Sequence, residues 1–180
     1  MQRIAFVLLA AVGAFIAPTA SVAGPPTVGD IALIDQTGTA FHLRELLGRP
    51  LAITFVATRC QDTCPMTNAI FAQFSRNARG ARLLTVSIDP AYDTPFVVAN
   101  YARGLGARPP VWRFATGRPR DVARVLAAFG VVLQRGPDGI PDVHSDFIYI
   151  LDRGGKLRNT LPLSSNTVAD LRIALDRQAR

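Results

Sequence analysis

Two short, almost unbroken apolar runs, Leu51–Ala57 and Leu83–Ile88, stand one helix apart in this chain. Runs of this length, rich in β-branched residues and bounded by turn signals, read as strands buried on both faces. Between them, Pro65 fits the first turn of a helix that runs to about Ala78, with Ile70, Phe71 and Phe74 as its apolar stripe. The same alternation continues downstream. A helix over about 94–103 is capped by Thr94 with Pro95 behind it, and a strand over 111–115 follows. A helix over 119–129 is stopped by Gly130. Residues 143–151 then read as one strand with its core at Phe147–Leu151, turning through Asp152-Arg153-Gly154-Gly155 into a partner over 156–161. A last helix spans about 167–178, with Thr167 and Asp170 spaced as a capping box. Upstream, 31–34 and 41–43 pair as a hairpin, and 44–47 forms one helical turn closed by Gly48. Strands alternating with helices describe an α/β sheet covered by helices.

Length and the N-terminus set the outer limits. The chain has 180 residues, 49% of them hydrophobic, enough for one well-cored domain and too few for two. Arg3 precedes an apolar run from Ile4 to Ala17, and small residues lead to Ser21-Val22-Ala23. A basic start, a short apolar stretch and a small-residue cut describe a signal peptide over 1–23 and an exported, periplasmic domain over 24–180. The alternative reading of 1–23 is an uncleaved membrane anchor, although the run falls short of the ~20 residues of a span. The net charge is +7, carried almost wholly by arginine. Export and the scatter of the arginines argue against nucleic acid. A solvated basic surface is the plainer reading, with attraction to anionic lipid near a membrane surface or to an acidic protein partner as the other.

The two cysteines, Cys60 and Cys64, are the only ones in the chain and lie four residues apart. A disulfide here would close a tiny loop and remove little unfolded-state entropy, so it is a poor structural staple. The pair sits where the strand over 51–57 gives way to the helix begun by Pro65. With Cys64 at the cap, unpaired backbone N–H groups and the helix dipole favour thiolate, and Arg59 adds positive charge. Helical residues four apart have Cα atoms about 6 Å apart, within the ~4.4–6.8 Å that a disulfide accepts. Such a pair serves as a redox dithiol or as two ligands of one ion. Two thiolates suit Cu(I), and an added imidazole suits Cu(II) as well. Zinc would want a fourth ligand, and no third cysteine exists. Of the two histidines, His42 alternates with Phe41 and Leu43 and reads as a surface residue. His144 precedes the strand core at Phe147 and is the candidate third ligand. Met66, early in a helix, reads as core filler.

The order β-α-β-α then β-β-α is that of the thioredoxin-like fold, with an N-terminal β-hairpin extension, an inserted strand–helix and a central mixed sheet flanked by helices. The segments Thr58-Arg59-Cys60-Gln61-Asp62-Thr63-Cys64-Pro65, Val86-Ser87-Ile88-Asp89-Pro90, Asp93-Thr94-Pro95, Val143-His144-Ser145 and Tyr149-Ile150-Leu151-Asp152 together resemble the Sco/SenC family of copper-binding thioredoxin-fold proteins. The resemblance implies one copper ion, Cu(I) or Cu(II), held by Cys60, Cys64 and His144. It implies a metallochaperone that loads or matures the dinuclear copper site of cytochrome c oxidase subunit II or another cuproprotein, with a copper donor upstream. Its alternative is a thiol–disulfide reductase that keeps such a site's cysteines reduced, with Cys60 and Cys64 as the redox pair. Asp89 and Asp93 would shape the loop beside the ligands. Two departures, Gln61 in place of a proline and Val143 in place of an aspartate, leave the ligands intact and bear on redox potential and partner choice. No proline precedes Phe147, where thioredoxin-type oxidoreductases carry a cis-proline facing their cysteines. A peroxiredoxin-like peroxidase is excluded because Thr58 stands two residues before Cys60 rather than three.

Overall fold

The computed structural model describes residues 30–179 apart from Asp62 and Ser145, and the side chains of residues 142–144 fall outside that description. The expected leader over 1–23 also lies outside the described residues. Among those described, no helix is long and apolar enough to cross a membrane.

β3 (Leu51–Val56), β4 (Arg82–Ser87) and β5 (Trp112–Thr116) run parallel at the centre of a seven-stranded sheet. α1 (Thr63–Ser75) connects β3 to β4, and α2 (Pro95–Leu105) connects β4 to β5. The hairpin of β1 (Ala32–Asp35) and β2 (Ala40–His42) adds antiparallel to β5 on one side. On the other side, β8 (Phe147–Leu151) pairs antiparallel with β3, and β9 (Leu157–Pro162) pairs with β8. The order across the sheet is β2-β1-β5-β4-β3-β8-β9. α3 (Pro119–Ala128) follows β5, and α4 (Thr167–Ala179) closes the chain.

Every residue of β3 is buried, as its unbroken apolar run requires. Alternate side chains go to opposite layers. Leu51, Ile53 and Phe55 pack with Val122, Val125 and Leu126 of α3. Ala52 and Val56 pack with Ile70, Phe71 and Phe74 of α1 and Leu171 and Leu175 of α4. Trp112 is fully buried in the second layer, with its indole edge-on to Phe71 at 5.8 Å between centroids. Its Nε1–H donates to Thr85 Oγ1 at 3.0 Å, so the buried indole keeps a polar partner.

The helix ends follow local chemistry. Thr94 caps α2, its hydroxyl accepting from the Val97 N–H, and Gly106 closes that helix at φ +73°. Three expectations fail. Residues 143–151 are not one strand: β7 (Pro141–His144) pairs with β6 (Leu133–Arg135) in a separate two-stranded ribbon, while β8 alone joins the main sheet. Thr167 is already inside α4, and its hydroxyl accepts from the Ser164 N–H at 2.6 Å, so it reaches back rather than capping toward Asp170. Met66 is exposed rather than core.

Replacing Phe71 by Ala deletes a ring from the centre of the α1 layer. We expect a loss of about 3–5 kcal/mol, read as a lower urea midpoint with an unchanged slope.

Candidate metal centre

The site is built where β3 ends. After Val56 the chain makes a tight turn in which the Cys60 N–H donates to the Ala57 carbonyl at 3.1 Å. α1 then starts at Thr63, so Cys64 lies inside its first turn rather than at the cap. Pro65 falls among the first four helical residues, whose N–H groups have no intrahelical acceptor, so its missing donor costs the helix nothing. Cys60 is half-buried and packs against both apolar layers at the seam that the end of β3 opens. Cys64 is completely buried. The two sulfurs are not joined by a disulfide, and their side chains are hydrogen-bonded to one another.

Burial pushes the Cys64 thiol far above its ordinary pKa, and the hydrogen bond and charge of Cys60 and the charge of Asp146 push the same way. A hydrogen bond with the Ala57 backbone acts in the opposite direction. The expected lowering at the helix start is therefore overturned for Cys64. Removal from water disfavours its anion more than the first turn of the helix favours it.

Two aspartates from the loop after β4 shape the turn. Asp93 is buried and accepts from the Thr58 N–H at 3.2 Å and from the hydroxyls of Thr58 and Ser87. Burial holds its carboxyl above the ordinary value, and those hydrogen bonds pull the other way. Asp89, also buried, takes one guanidinium on each oxygen. Arg59 Nη2 is 2.7 Å from Oδ2, and Arg135 Nη1 is 2.9 Å from Oδ1. The Arg59 guanidinium also lies over the Tyr92 ring, 4.1 Å from its centroid. Asp89 thus ties the residue beside Cys60 to β6.

β6 is the partner of the strand that bears His144. The register sets Leu133 opposite His144 and Gln134 opposite Val143. Leu133 packs on the same apolar layer as Cys60. Because β8 runs antiparallel to β3 with Ile53 opposite Tyr149, the residues before Phe147 come level with the end of β3. The charge of Asp146 acting on Cys64 agrees with that placement. The structure brings Cys60 and Cys64 together and sets the backbone of His144 on the adjacent ribbon. The His144 side chain lies outside the described residues. His42 is a surface residue as expected, 3.4 Å from Glu45. Arg135 and its strand escaped the sequence reading, although Val131–Leu133, the turn residues Pro137-Asp138-Gly139 and the apolar Ile140 form a legible hairpin signal.

Comparison with known proteins bears directly on this arrangement. The SCO1/SenC family model matches residues 20–176. The chain belongs to the SCO1/SenC family. Its fold is accordingly the thioredoxin-like fold of that family. A SCO2-like protein of Rickettsia felis is 31% identical over 147 residues, covering 77% of this chain and 70% of the relative. The structure of Bradyrhizobium japonicum ScoI with copper bound superposes with a TM-score of 0.67 at 28% identity, over 82% of this chain and 99% of that one. BsSco, a member of the Sco family of cytochrome c oxidase assembly proteins in which a disulfide switch is identified, has the same fold. Its TM-score is 0.71 at 21% identity, over 85% of this chain and 93% of that one.

Asp89→Asn keeps the shape and removes the charge that holds Arg59 and Arg135. Amide exchange in β6 and β7 should accelerate by about tenfold, equivalent to about 1.4 kcal/mol, while β4 amides such as Leu84 stay unchanged. Uniform acceleration along the chain would show that Asp89 supports the whole fold rather than the ribbon.

Proposed function

We propose that this chain is an exported copper-binding protein of cytochrome c oxidase assembly that holds one copper ion through Cys60, Cys64 and His144 and passes it to a cuproprotein. The observation that carries the reading is the pair of facing, unbridged thiols beside the ribbon that bears His144. Two sulfurs and an imidazole form a donor set suited to copper in both oxidation states. Support also comes from family membership and from the copper-bound ScoI structure. Bound copper would supply a soft, exchangeable cation. The chain's own residues do the rest. The turn at Ala57–Cys60 presents Cys60 at the surface, the first turn of α1 fixes Cys64 in an apolar wall, and Asp89 ties the ribbon to the turn through its two arginines.

A second reading, a thiol–disulfide reductase acting on a cuproprotein, is favoured by the mutual hydrogen bond of the sulfurs. In that reaction Cys60 and Cys64 give two electrons and two protons to a substrate disulfide and close their own. The contact between the two sulfurs, one in the turn after β3 and one in the first turn of α1, is what would let the ring close. The recipient in either case would be the dinuclear copper site of oxidase subunit II, and an upstream protein would supply the metal.

The two readings separate on His144. The reduced wild-type protein should bind one copper per chain, and Cys60→Ser should abolish retention of Cu(I). His144→Ala should lose the Cu(II) absorption and oxidase assembly while keeping disulfide reduction. Retention of full Cu(II) binding in His144→Ala would remove the imidazole from the ligand set and leave the reductase as the better account.

A further inference from the structure

The opposite end of the sheet, where β3, β4 and β5 begin, carries an arginine-lined cleft that the copper reading does not use. Arg49, Arg76, Arg79 and Arg82 line one depression of about 350 Å³, within the lower range of small-ligand sites. They come from separate segments: the approach to β3, the end of α1, the α1–β4 turn and the start of β4. With β4 six residues long and strands rising about 3.3 Å per residue, the cleft lies about 20 Å from the thiols.

The four have no carboxylate within ion-pair distance among the described residues, whereas Arg59, Arg113, Arg118, Arg135 and Arg158 each have one. Arg82 is fixed by the carbonyls of Glu45 at 2.8 Å and Leu47 at 3.2 Å, acceptors that hold a guanidinium in place without neutralising it. Its guanidinium is held below the ordinary value by burial and by the charges of Arg49 and Arg113. Arg79 sits at φ +48°, the one non-glycine residue with positive φ among those described, and Gly80 follows at +87°. This turn brings Arg79 into the cleft and lets an Arg49 guanidinium nitrogen lie against Gly80, 3.9 Å from where a Cβ would stand. Like charges gathered in one concavity repel, and with no acid beside them among the described residues these four are open to an external anion. Guanidinium groups converging from several directions match the oxygens of phosphate, which accept paired N–H donors.

We propose that this cleft is a binding site for a phosphate-bearing anion, either an anionic phospholipid headgroup or a soluble polyphosphate. The test uses the full chain with two probes: inorganic pyrophosphate followed by calorimetry, and flotation with phosphatidylglycerol vesicles against phosphatidylcholine vesicles. R76E/R79E reverses two cleft charges, and R120E/R177E makes the same change in net charge on exposed arginines elsewhere. Binding of at least one probe should weaken tenfold or more in R76E/R79E and stay within twofold of wild type in R120E/R177E. Loss of pyrophosphate binding identifies a soluble anion, and loss confined to phosphatidylglycerol vesicles identifies a headgroup. R76Q/R79N, whose asparagine tolerates positive φ, replaces the reversal if that variant does not fold. Equal loss in the two double reversals, or no binding of either probe by wild type, would overturn the proposal. Copper stoichiometry should be the same in all of these variants, so the result stands apart from the copper reading.

Discussion

The carboxylate of Asp89 is almost out of reach of water, with 3% of its side chain exposed, and each of its oxygens holds a different arginine. Much of the site's geometry depends on that arrangement. An ionised carboxylate removed from water is strongly disfavoured unless it is paired and hydrogen-bonded. Releasing either arginine would leave part of that charge unanswered. One arginine adjoins Cys60 and the other lies on β6, so two segments far apart in sequence share one anchor. The backbone carbonyl of the same residue accepts from the N–H groups of Tyr92 and Asp93. That folds the loop back and delivers the Asp93 carboxylate to Thr58. The thiol turn is thus braced from below by Asp93 and from the side by Asp89, and both braces come from the end of β4.

The thiols themselves are decided by a contest between two familiar effects. A charge at a helix N-terminus gains about 0.3–1 kcal/mol in ordinary settings. Full burial shifts an ionisable group by up to about 3–5 pKa units, each worth about 1.36 kcal/mol. For Cys64, enclosed among Val56, Phe71 and Ile148 in the α1 layer, burial is the larger effect. A sulfur so placed resists standing as a bare anion and keeps a proton until a soft cation or a second sulfur takes its place. Cys60, half-buried at the seam of the two layers, is the more accessible of the two sulfurs. The pair therefore differs in depth, although the two residues look equivalent in the sequence.

What the sequence disclosed and what it concealed follow the same physics. Strands β3 and β4 were legible because burial on both faces leaves an unbroken apolar run, and the start of α2 because Thr94 and Pro95 mark it, whereas its end at Leu105, closed by Gly106, was not marked. The thiol pair was legible from its spacing and its place before Pro65. The ribbon of β6 and β7 was missed, because strands of three and four residues are too short to show a clear alternation. Its signal was the Pro-Asp-Gly turn with the apolar residues 131–133 and Ile140 on either side, and the apolar residues at 147–151 drew Val143 and His144 into the wrong strand. Nor could the pairing of Arg59 and Arg135 on Asp89 be read, since residues 59, 89 and 135 meet only when the sheet forms. The α1 boundary shifted by two residues, and with it Cys64 moved from the rim of the helix into its interior.

Charge is also distributed in a way that composition hides. A net +7 suggests a uniformly basic surface, yet the two arginines beside the thiols are both engaged by Asp89 and contribute little free field there. Tyr92 and Phe96 stand exposed on the same loop and helix start, and Met66 stands exposed in the first turn of α1. Contact at the thiol end would then be made largely through apolar side chains, which fixes orientation at short range and leaves little to long-range attraction. The four cleft guanidinium groups lie at the far end of the sheet. An approaching anionic surface would be drawn to that end and leave the thiols facing away from it. The separation of these two properties along the strand axis follows from one fact of topology: the parallel strands send their C-terminal ends to the sulfur turn and their arginine-rich starts to the other pole.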